Sequence, residues 1–148
     1  MYIFLDVDGV LNKKSDWTRP FSLNPECVKN FVELIGKIPD AKIVLSSTWR
    51  NGIARDGSRT AHVEDLMSAL SSVGINTIDR TANAPDGGRS KEIEYYLRRH
   101  EVDSYIILDD DPNLFDAGRK TKNLYVIDSE YGVQKDDIIK ISKRIGLR

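Results

Sequence analysis

The chain has a single cysteine, Cys27, so no disulfide can form within it, and a reducing, cytoplasmic setting is expected. Cys27 itself reads as an ordinary buried or half-buried side chain on a helix. No apolar run approaches the roughly 18 residues that a membrane-spanning helix needs, so no membrane association is expected. A strand expected from Tyr2 leaves no room for a cleavable leader. Excess charge of either sign is also missing. A formal net charge of −1 excludes a nonspecific, charge-driven nucleic-acid binder, though not a local basic patch. Histidine is scarce too: His62 and His100 fall on expected helices, where packing or surface roles suit them. Repeats, low-complexity tracts and linker-like segments are absent. What is left is 148 residues, long enough for one domain that buries roughly two thirds of its unfolded surface.

What is present is an alternation of short β-type runs and amphipathic helical patterns. The runs at 2–7, 42–45, 75–78, 105–108 and 124–127 read as strands. Asn24 and Pro25 read as an N-cap and first helical residue, after which Val28, Phe31, Val32 and Ile35 follow the i, i+3, i+4, i+7 rule. Val63, Leu66, Met67 and Leu70 repeat that pattern, and Gly74 is placed to stop the helix. A third helix is expected from about 90 to 100, with Ile93 and Leu97 inward. The last carries Ile138, Ile141 and Ile145, with Ile139 beside them. Such alternation gives right-handed βαβ units and a parallel sheet of about five strands covered on both faces, a three-layer Rossmann-like α/β fold. Ligands of these folds bind beyond the carboxyl ends of strands.

The unusual polar groups fall at those ends. "FLDVDGVLN" (4–12) closes an apolar run with Asp6 and Asp8, Ser46 and Ser47 follow the second strand, and acids at 109–111 follow the fourth. Carboxylates gathered this closely repel unless protons or a metal intervene. Oxygen donors with no His or Cys nearby in sequence favour Mg2+ over zinc, and Mg2+ commonly takes phosphate oxygens, so a phosphorylated substrate is expected. Gly9 lets the backbone turn sharply and expose amides to an anion. Ser46 adds a hydroxyl, and Arg89 or Lys91 can supply a cation for phosphate. Asp111, preceding Pro112, is either a further ligand or the N-cap of a short helix ending at Gly118.

"LDVDGVLN", "IVLSS", a basic residue before a helix and "YIILDDD", in that order, resemble the haloacid dehalogenase-like (HAD) phosphohydrolases over nearly the whole chain. The resemblance implies an expected strand order of 5-4-1-2-3. It also implies that Asp6 is the nucleophile that becomes an aspartyl phosphate, and that Asp8 is the general acid and then base. Ser46 matches the hydroxyl that orients the phosphoryl group. The metal would be held by Asp6, Asp110 and the carbonyl of Asp8, with Asp109 in support. For the phosphate-binding cation both Arg89 and Lys91 qualify, and Arg89 is preferred because it lies in the Gly-rich approach to the helix.

Many such relatives carry a cap domain, but neither the stretch between Asp8 and Ser46 nor that between Ser46 and Arg89 has room for one. Residues 1–148 are therefore expected to form a single domain with only a small flap at about 12–22. An open site suits a bulky substrate. The segment "SSTWRNGIARDGSR" offers Ser47, Trp49, Arg50, Arg55 and Arg59, and the flap offers Lys13, Lys14, Trp17 and Arg19. Indoles with nearby cations can stack bases and hold phosphates, although Trp49 fits a packing role equally well and exposed arginines are commonly just solvated. "VLSSTWR" is also similar to the small capless HAD domains of nucleic-acid (RNA) repair proteins. The expected function is a Mg2+-dependent phosphatase acting through an aspartyl phosphate, with an open site suited to a bulky substrate such as a phosphorylated protein or a polynucleotide end. The alternatives are a nucleotidase or small phosphate-ester phosphatase, or a noncatalytic phosphate-binding or receiver-like signalling module. A receiver lacks an acid two residues after its phosphorylated aspartate, where Asp8 stands here.

Overall fold

Ile3, Phe4 and Leu5 have no exposed surface, because strand β1 (Tyr2–Leu5) runs through the centre of the sheet. The computed structural model describes residues 1–83, 88–115 and 123–147. On one side of β1 lie β2 (Lys42–Leu45) and β3 (Asp79–Arg80), and on the other lie β4 (Tyr105–Asp109) and β5 (Leu124–Val126). All five strands are parallel, and the order β3-β2-β1-β4-β5 is the expected one read from the opposite edge. Leu5 pairs with both Leu45 and Leu108. The chain therefore leaves β1 and β2 at the level where β4 reaches Asp109, which puts residues 6, 46 and 109 along one edge.

Side chains alternate across a strand, so β1, β2, β4 and β5 each feed two cores. Ile3, Leu5, Ile43 and Leu45 face helices α1 (Pro25–Gly36), α2 (Ala61–Ser71) and α4 (Lys135–Arg144), joining Phe31, Leu34, Leu66, Leu70, Ile138 and Ile141. Phe4, Val44, Ile107 and Leu124 face α3 (Arg89–Arg99) and pack on Ile93 and Tyr96. Each such burial contributes about 1.5–3 kcal/mol, enough to fix the register of strands only three to five residues long. Ile139 is on the outer side of α4 and exposed.

Local punctuation explains the helix starts and one displaced strand. The Asn24 side chain accepts from the amides of Glu26 and Cys27 at 3.1 and 3.2 Å, as its N-cap position requires. After α2, Gly74 adopts φ +84°, and the Ile75 amide donates back to the Leu70 carbonyl at 3.2 Å. That bond takes the amide with which a strand at 75–78 would begin. Pairing with Val44 and Leu45 starts only at Asp79 and Arg80, while Ile75 and Ile78 pack as half-buried loop residues. Arg89 is the first residue of α3, not part of the approach to it.

The β1–α1 connection holds one 3₁₀ turn (Lys14–Asp16), and the β2–α2 connection holds another (Thr48–Gly52). Among the described residues no helix is long and apolar enough to cross a membrane.

Candidate active site

The end of β1 delivers Asp6, which is 3% exposed, and the end of β4 delivers Asp109, which is fully buried. With the half-buried Asp110 they form a group in which one carboxylate oxygen from each residue lies within 4.8 Å of the other two. Gly9 makes that approach possible. Its φ of +88° disfavours a side chain, and a Cβ there would run into the Asp110 carboxylate. Arg89 closes the group from α3. Its Nη1 donates to both Asp109 oxygens at 3.0 and 2.8 Å and lies 3.8 Å from Asp6 Oδ2. The Asp111 amide adds a bond to Asp109 Oδ1 at 3.0 Å.

One cation does not neutralise this charge. Burial, followed by repulsion from Asp109, pushes the Asp6 carboxyl up to about 9, against the pull of Arg89. Burial also raises Asp109, which Arg89 and the Asp111 amide only partly counter. Burial alone would lower Arg89, but Asp6 and Asp109 more than offset it and leave its pKa raised. Three carboxylates with no nitrogen or sulfur donor among them fit a hard divalent cation. Level with Asp6, one residue past β2, the Ser46 hydroxyl is buried without a hydrogen-bond partner. Buried hydroxyls are nearly always satisfied, so an orphan here points to a missing ligand oxygen.

Asp8 is not a member of that group. Its Oδ1 accepts from Asn12 Nδ2 at 2.9 Å and from Trp49 Nε1 at 3.3 Å. Trp49 is completely buried, with its ring edge-on to His62 and Phe21. It holds Asp8 in place, and the reading of Trp49 as a substrate-stacking ring is corrected: no face of the indole is open.

Ser47 is also buried and caps the 3₁₀ turn, accepting from the Trp49 amide at 3.2 Å. Arg50 is engaged by Glu92 of α3 at 2.9 Å and by Asn83, so it braces the site wall. Lys91 is exposed on the first turn of α3, two residues beyond the arginine that reaches the acids. Asp111 accepts from the Asn113 amide at 2.8 Å in a turn, and residues 111–115 contain no helix; the expected end at Gly118 lies outside the described residues. Lys14 pairs with Glu130 at 3.4 Å and Arg59 with Glu64 at 3.0 Å, while Arg19 and Arg55 are exposed.

Asn12 ends the segment "FLDVDGVLN". It is 1% exposed and bonds Gly9, Trp17, Ser22 and Asp8. A buried asparagine just past an acidic loop is a signal in the sequence, but its partners are not.

A parallel α/β sheet that gathers acids from β1 and β4, a serine from β2 and an arginine from α3 defines a phosphohydrolase-type domain of the HAD class. The family described as the HAD domain in Swiss Army Knife RNA repair proteins matches residues 2–138, and the chain belongs to it. No curated protein and no solved structure matches the chain.

Proposed function

We propose that this domain is a Mg2+-dependent phosphatase that works through an aspartyl phosphate on Asp6. The carrying observation is the buried Asp6 carboxylate beside Arg89, level with an unsatisfied Ser46 hydroxyl. Arg89 and Ser46 bind the phosphoryl oxygens and turn the phosphorus toward Asp6. An Asp6 oxygen attacks phosphorus, the bond to the leaving oxygen breaks, and that oxygen keeps the pair of the broken bond and takes a proton from Asp8. Asp8, now a carboxylate, accepts a proton from water; the hydroxide attacks phosphorus and Asp6 leaves as a carboxylate with inorganic phosphate. Mg2+ held by Asp6, Asp110 and the Asp8 carbonyl, with Asp109 behind, would neutralise charge on the transferring group.

Residues 1–148 make one uncapped domain in this reading, with the flap at 12–22 beside the site. The family description ties its members to RNA repair, which supports a phosphorylated RNA end as substrate. In place of the buried Trp49, the flap presents Trp17 at 44% and Phe21 at 50% exposure, with Lys13, Lys14 and Arg19 nearby in sequence. Stacking of a base on such a ring contributes about 1–3 kcal/mol.

Phosphate release from 3′- and 5′-phosphorylated oligoribonucleotides, mononucleotides and an aryl phosphate, with and without Mg2+, tests this. The expected result is Mg2+-dependent release favouring an oligonucleotide end and lost in Asp6→Asn. Release from small esters alone would keep the chemistry and reject the RNA end. Release equal in Asp6→Asn would reject the mechanism.

A further inference from the structure

The Asn12 amide uses its full hydrogen-bonding capacity. Its Oδ1 accepts from the Gly9 amide at 2.8 Å and from Trp17 Nε1 at 2.8 Å. Its Nδ2 donates to Asp8 Oδ1 at 2.9 Å and to the Ser22 carbonyl at 2.8 Å. A backbone amide and an indole can only donate, so the orientation of the side chain is settled by its partners. One buried group thus ties together the turn after β1, the Asp8 carboxyl and the flap at two points.

The bonds to Asp8 are one-sided. Asn12 and Trp49 both donate to Oδ1, which leaves Oδ2 as the oxygen without either donor. We propose that Asn12 is a positioning residue that acts through Asp8, aiming Oδ2 at the leaving oxygen and coupling that aim to docking of the flap through Trp17 and Ser22. The catalytic half of this inference rests on the phosphatase reading above; the coupling of flap to Asp8 does not.

Protonation by Asp8 matters in proportion to how basic the departing oxygen is. Misaiming it should slow an alkyl phosphate, such as an oligonucleotide 3′-phosphate, far more than 4-nitrophenyl phosphate, whose leaving group needs little help. A merely structural loss would slow both alike.

The chain has two tryptophans, and their indole N–H groups report on either side of Asn12. In 15N-labelled protein, Asn12→Ala is expected to leave the Trp17 indole N–H exchanging as a free side chain. It should also shift the Trp49 indole signal, whose acceptor is Asp8. In turnover, kcat for the oligonucleotide phosphate should fall about 100-fold and that for the nitrophenyl ester less than about 5-fold, with KM little changed. Trp17→Phe removes the flap donor at a half-exposed residue, and should shift the Trp49 indole signal and slow the oligonucleotide phosphate by smaller amounts. It carries the test if Asn12→Ala fails to fold. An unmoved Trp49 signal, or equal losses on the two esters, would overturn the proposal. If wild-type protein hydrolyses neither ester, the phosphatase reading falls, and the indole signals alone decide whether flap and Asp8 are coupled.

Discussion

At neutral pH and without a divalent cation, Asp6 keeps its proton, because folding raises its carboxyl from 3.8 to about 9. The sign of the stability effect follows. The unfolded chain loses this proton first, so folding is favoured most below about pH 4, and the advantage drains away as pH rises toward 9. For one proton the slope is at most about 1.4 kcal/mol per pH unit. In chelator at pH 8, Asp6→Asn should therefore melt above the wild type and show a flatter pH dependence between 5 and 9, as thermal denaturation would reveal. Asp6 and Asp109 were legible in the sequence because each closes an apolar run. The bond from Trp49 to Asp8 was not, since it spans 41 residues and depends on how a loop folds back. Composition marks a tryptophan beside arginines as a stacking candidate; only burial shows that its faces are taken.

Among the elements, the flap owes its position to small contacts rather than to a core. Phe21 adopts φ +57° and stacks on His62 with centroids 4.2 Å apart, while the Asp16 carboxylate accepts from the Lys13 amide and the Asn24 side chain. Burial lowers the pKa of His62 from its ordinary 6.5. The neutral ring is thus the folded form, and this contact supports the fold above pH 6.5 and weakens as pH falls. Phe21→Ala should move the His62 titration, followed by NMR, back toward 6.5; no change would mean that the flap does not rest on this helix. Helices with strong caps were placed correctly from their residues, α1 by Asn24 and Pro25. The third strand lies at Asp79–Arg80 and not at 75–78: Ile75 and Ile78 have the composition of a strand, while the turn at Gly74 commits the Ile75 amide elsewhere.

For the molecule as a whole, alternating strands and helices specified a parallel sheet, and hence which strand ends would meet. A ligand that binds only the assembled site stabilises the whole fold, by about 2.7 kcal/mol at one hundred times its Kd. Mg2+ should accordingly raise the melting temperature of the wild type, and Asp110→Asn should remove most of that rise in a thermal titration. The strand order carries a further consequence for how the protein is made. Within this domain Asp6 leaves the ribosome on the strand that ends up in the middle, whereas its neighbours on β4 emerge only after α1, β2, α2, β3 and α3. A nascent chain can pair β1 with β2 early, yet it holds no acidic cluster until Asp109 and Asp110 arrive. A chain stalled before β4 should be blind to Mg2+, and the completed one should acquire charge repulsion and the site for its remedy at the same moment.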